Sequence, residues 1–199
     1  MKILLIGAHG TLGQAVAQEL GSRHEIVRAG RSSGDVRIDL TDRASVERAL
    51  ASVGPLDAVV SAAGNVAFGP LLEMSQEQWD VGLQDKLMGQ VQLALAAVAH
   101  LNDGGSITLT TGVLAEEPIR YGASASLVNA GIQGFVLGAA IELPRGLRIN
   151  AVSPGVLIES MPNYAPYFRG FDPVPAARAA LGFARSVEGA DTGKVYRVV

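Results

Sequence analysis

The 199 residues predict an α/β fold in one domain, 1–199: a doubly wound, seven-stranded parallel sheet with helices on both faces. Three observations carry the prediction. Short apolar runs alternate with longer stretches of helical periodicity along the whole chain. A glycine-rich turn joins the first strand directly to a helix. No fixed repeat, proline-rich linker or charge block divides the sequence.

The elements follow in order. Residues 3–6 form an apolar strand, too short for a signal-peptide core and ended by Gly7. Helical periodicity runs over 11–20, strands over 25–29 and 36–38, a helix over 43–53 and a strand over 56–60. Residues 76–100 read as one long helix, 106–110 as a strand, 126–143 as a helix, and 147–152 and 194–198 as the last strands, the final one preceded by a last helix. The helices over 78–100 and 126–143 are rich in alanine and glycine, which permits close approach to the sheet or to a partner subunit. Prolines and the aromatics Tyr164, Tyr167, Phe168 and Phe171 predict a substrate or lid loop over 156–172, its rings touching a ligand or anchoring the loop.

Composition narrows the function. Lys+Arg 16 against Asp+Glu 19 leave no cationic excess for nucleic acid or an anionic membrane. Zero cysteines exclude thiol chemistry and disulfides. No apolar stretch is long enough to span a bilayer, and a cytoplasmic protein with a small-molecule partner is expected.

Gly7-Ala8-His9-Gly10-Thr11-Leu12-Gly13 lies where a strand hands over to a helix, so its backbone amides can approach a pyrophosphate, as in a Rossmann-type dinucleotide site. His9 either adds a donor there or is incidental. After the second strand an NAD site usually places Asp or Glu; this chain has Gly30-Arg31-Ser32-Ser33. The Arg31 fork and the Ser32 hydroxyl suit a 2′-phosphate, which favours NADP(H) over NAD(H). A solvated surface arginine is the alternative.

With these pieces in place the chain resembles the short-chain dehydrogenase/reductase family. Asp39-Leu40 is similar to its adenine-contacting pair, and Ser61-Ala62-Ala63-Gly64 to its Asn-Asn-Ala-Gly segment. Residues 148–155, ending in Pro154-Gly155, give the most specific match, and Thr192-Gly193-Lys194-Val195 resembles the approach to the last strand. The resemblance implies that the backbone at Val156 and Leu157 faces the nicotinamide carboxamide, and that the protein forms a homodimer or homotetramer. It also implies a Ser, Tyr, Lys and Asn catalytic set, from which the chain departs: those positions hold Gly112, Ala125, Asn129 and Lys86.

A rebuilt set is Thr111, Tyr121 and Lys86, for substrate binding, proton donation and positive charge. Tyr121 precedes Ala125 by four residues, about 6 Å along a helix, against a proton-transfer reach of about 3 Å. It serves only if 118–123 is a loop. Otherwise Tyr121 lines the pocket, Lys86 is a surface or interface charge and Thr111 ends a strand, while Ser124 and Ser126 cap the helix that follows. The expected function is an NADP(H)-dependent oxidoreductase acting on a small carbonyl or alcohol. The alternative is a catalytically inactive NADP(H)-binding sensor or a structural subunit.

Overall fold

The computed structural model describes residues 1–199. Seven parallel strands, β1 (Lys2–Ile6), β2 (Glu25–Gly30), β3 (Val36–Arg37), β4 (Leu56–Ser61), β5 (Leu101–Thr110), β6 (Arg148–Pro154) and β7 (Val195–Val198), form one sheet in the order β3-β2-β1-β4-β5-β6-β7. Side chains alternate across it, so Leu4 and Ile6 face one apolar layer and Ile3 and Leu5 the other. Helices α1 (Thr11–Gly21) and α7 (Ala176–Glu188) cover the second face, packed on each other. Helices α2 (Arg43–Val53), α4 (Gly89–Ala97) and α5 (Ala123–Ala139) cover the first. Both faces of the inner strands are thus dry, which is why they read as continuous apolar runs rather than alternating ones. The strand order reverses between β1 and β4, and a crevice at the carboxyl ends of a doubly wound sheet opens at such a reversal.

All seven strands predicted from the sequence are present, and the differences lie at element ends and inside the long helix over 76–100. The long helix over 76–100 is three pieces: α3 (Gln76–Asp80), started by a Ser75–Gln78 capping box, a π-helical segment Val81–Met88, and α4. Strand β5 begins at Leu101, where Leu101 pairs with Leu56 before an irregular step to the Ala58–Ser106 pair. Helix α5 starts at Ala123 and ends at Ala139, so Ser124 and Ser126 lie inside it and do not cap it; their hydroxyls have no partner. The segment over 156–172 folds into a short helical turn, Ile158–Ser160, and α6 (Met161–Tyr164), with its aromatics packed together. No helix is long and apolar enough to cross a membrane.

Candidate functional site: a dinucleotide cradle and an adjoining cavity

The turn after β1 is built on contacts only glycine allows. Gly7 has φ 77, and a Cβ there would stand 2.7 Å from the Ala62 carbonyl oxygen after β4. At Gly13 it would stand 2.0 Å from the Gly7 carbonyl oxygen. Helix α1 is thereby pressed against the β1–β4 crevice. The first intrahelical bond runs from the Gln14 amide to Gly10, which leaves the amides of Thr11, Leu12 and Gly13 ahead of it. No side chain caps them and no acidic residue occupies the first turn. Unpaired amides at the positive end of a helix dipole form an anion site, and this one fits a pyrophosphate. His9 is exposed beside it; its carbonyl accepts from Gln14 Nε2.

Beyond β2, Arg31 and Ser32 are both exposed. Arg31 reaches two carboxylates: Nε is 3.5 Å from Asp39 and Nη2 3.7 Å from Asp85. The amide and hydroxyl of Thr41, with Arg31 adding to them, hold the Asp39 carboxyl below the usual carboxylate range. The Leu40 side chain is buried in the core beneath Gly89, so only its backbone is offered to a ligand.

A cavity of about 280 Å³ opens at the carboxyl ends of β4, β5 and β6. Gly64, Lys86, Thr111, Gly112, Ala125, Asn129 and the 154–157 segment line it, with Phe68, Tyr164 and Phe168 as an aromatic side. Lys86 is its one charged group. The lysine comes from the π-helical segment, its stem lies against Gly64, and its ammonium makes no ion pair or hydrogen bond. Half-buried by exposure and without a counter-charge, it is lowered by desolvation to about 8. The fully buried Gln90 fixes this segment: its Nε2 donates to the Lys86 and Thr110 carbonyls at 3.0 and 2.9 Å, and its Oε1 accepts from the Thr110 amide at 2.8 Å. The side-chain amide thus takes the place of a neighbouring strand at the tip of β5 and ties it to the backbone of Lys86.

Among the rebuilt catalytic set, Thr111 and Lys86 reach the cavity and Tyr121 does not. Tyr121 sits in the turn before α5 at φ 68, its carbonyl accepting from the Gly69 amide and its ring beneath the Arg120 guanidinium, 5.0 Å away. The 118–122 stretch is irregular and ends in a turn before α5, so Tyr121 is off the helix as the set required, but the turn aims the phenol elsewhere. The Thr111 hydroxyl donates to the Asn129 carbonyl at 2.8 Å, so it braces α5 and offers a ligand only its lone pairs. Asn129 faces the cavity with a buried Oδ1 that has no partner. The amides of Val156 and Leu157 donate to no protein acceptor, while the Val156 carbonyl is held by Val174; two free amides beside the cavity fit a carboxamide oxygen. Asp85 and Gln90 were not singled out as site residues by sequence, and Asn129 was noted only as standing where the resemblance implies a lysine. The signal for Gln90 was a polar residue inside an otherwise apolar helix.

A family model described as enoyl-(acyl carrier protein) reductase matches residues 3–197. The chain belongs to the short-chain dehydrogenase/reductase family. This short-chain dehydrogenase/reductase is 29% identical over 177 residues to the hydroxynaphthalene reductase-like protein Arp2 of Metarhizium brunneum, covering 76% of this chain and 66% of that protein. Human L-xylulose reductase is 27% identical over 180 residues, 80% of this chain and 73% of its own. Among solved structures, the protein lin1944 of Listeria innocua is 51% identical with a TM-score of 0.98, each chain covered in full. A small-chain dehydrogenase in complex with NADPH has the same fold, with a TM-score of 0.89 at 24% identity over 100% of this chain and 96% of that one.

Proposed function

We propose that this short-chain dehydrogenase/reductase is an NADP(H)-dependent oxidoreductase acting on a small carbonyl or alcohol, with Lys86 as its proton donor. The observation that carries the reading is the unpaired Lys86 ammonium, lowered to about 8, in the cavity that Asn129 and the 154–157 segment share. The α1 amides would hold the pyrophosphate, Arg31 and Ser32 the 2′-phosphate, and the Val156 and Leu157 amides the carboxamide. When bound, the nicotinamide supplies or accepts the hydride. Lys86 gives its proton to the carbonyl oxygen as the alcohol forms and is reprotonated from solvent; in the reverse direction neutral Lys86 takes the proton. A donor near neutral pH suits general acid catalysis. Asn129, kept in place by Thr111, orients the substrate oxygen, and Phe68, Tyr164 and Phe168 keep water from the apolar side. A small substrate follows from the cavity volume. The outward Leu95, Leu127, Leu137 and Ile141 on and after α4 and α5 supply an apolar face for a homodimer or homotetramer.

The test is titration of the purified protein with NADPH and NADH, then NADPH consumption against a panel of aldehydes, ketones and quinones. The reading expects NADPH to bind and to be oxidised only with substrate, in a rate that falls as pH passes about 8 and Lys86 loses its proton. Binding without turnover on any substrate would favour the sensor, and no binding would end the cofactor assignment.

A further inference from the structure

Arg31 is not a free cation. Its guanidinium bridges Asp39, in the loop after β3, and Asp85 on the π-helical segment, at 3.5 and 3.7 Å. Asp85 is only 8% exposed, and its Oδ2 is fixed by the Asn65 side-chain amide at 2.5 Å and the Asn65 backbone amide at 3.2 Å. A carboxylate so held cannot swing away when a ligand arrives. Two carboxylates against one guanidinium leave the trio with a net charge of −1, on the side of the crevice where the cofactor's adenosine would lie.

We propose that Asp85 is a specificity-determining residue that restrains the preference for a 2′-phosphorylated dinucleotide. The proposal rests on the reading that Arg31 receives the 2′-phosphate. A dianionic phosphate held by the exposed edge of the guanidinium would face the carboxylates on its other edges, and each would repel it. A ribose bearing hydroxyls meets no such repulsion. Asp39 shares the effect, but its hydrogen bonds with Thr41 build the loop itself. Asp85 can be neutralised without loss of structure, because the oxygen of an asparagine still accepts from Asn65.

The experiment measures calorimetric dissociation constants of adenosine 2′,5′-bisphosphate and adenosine 5′-monophosphate, and of NADPH and NADH, for the wild-type protein and for Asp85→Asn. Asp85→Ser serves as a second variant that removes the charge and the bulk. Both variants are expected to raise the preference for the 2′-phosphorylated member of each pair by about threefold or more, the size of one charge acting on a dianion within a Debye length under solvent screening. A preference unchanged or lowered in both variants, with the wild type binding NADPH, overturns this proposal alone. A wild-type protein that binds neither dinucleotide nor either fragment overturns it together with the cofactor assignment.

Discussion

Replacing Lys86 with methionine separates what the lysine does for the reaction from what it costs the fold. In water the ammonium titrates near 10.5, and in the cavity near 8. At about 1.36 kcal/mol per tenfold change in proton affinity, holding the charged form in the cavity costs the native state about 3 kcal/mol at pH 7. Contact with cavity solvent reduces this to about 2 kcal/mol. Methionine fills a similar volume with no charge, so Lys86→Met is expected to raise the melting temperature by about 4–8 °C at pH 7. The gain depends on pH with a definite sign. Between about 8 and 10.5 the unfolded chain binds the proton and the native state does not, so wild-type stability rises with pH there. The advantage of the variant therefore shrinks as pH climbs through that window and is largest below it. Thermal unfolding at pH 6.5, 8 and 10 reads the trend. The same variant is expected to retain NADPH and lose about 10²–10⁴-fold in turnover. A variant no more stable than the wild type at pH 6.5 would refute the picture of an unpaired, desolvated ammonium.

Other expectations follow from the same geometry. Gly13→Ala sets a Cβ 2.0 Å from the Gly7 carbonyl oxygen, so the turn must open; dinucleotide binding measured by calorimetry is expected to disappear. Gln90→Leu strands the Thr110 amide and the carbonyls of Thr110 and Lys86, and urea titration is expected to show a loss of about 3 kcal/mol. Tyr121→Phe removes a hydroxyl that does not reach the cavity, and kcat/KM is expected to stay within about twofold of wild type.

The fold was legible because its signals are local. Apolar runs such as Leu4 to Ile6 mark strands buried on both faces, and Gly7 and Gly13 mark the close approach of helix to strand. The interior of the site was less so. Nothing in Val81–Met88 distinguishes a π-helical stretch from an α-helix, since a change of hydrogen-bond register leaves no compositional trace, and the directions of Asp85 and Lys86 depend on it. Whether Tyr121 lies in a turn or on a helix was open in the sequence, and a turn's exit direction is set by φ at one residue, here 68, which residue identity does not announce in a tyrosine. The partnership of Arg31 with Asp85 joins residues 54 positions apart and is a matter of tertiary packing.

The π-helical turn makes this site a matter of counting as much as of chemistry. Gln90 anchors one end of α4 to the sheet, and Lys86 is reached from that anchor through a fixed number of residues in a widened coil. In α-helical winding the same residues would each advance by about 100° around the axis, and the lysine would point elsewhere relative to Gln90. The ammonium would then leave the cavity with every side chain of the site still encoded. The winding of this one turn, and not residue identity alone, sets where this lysine points.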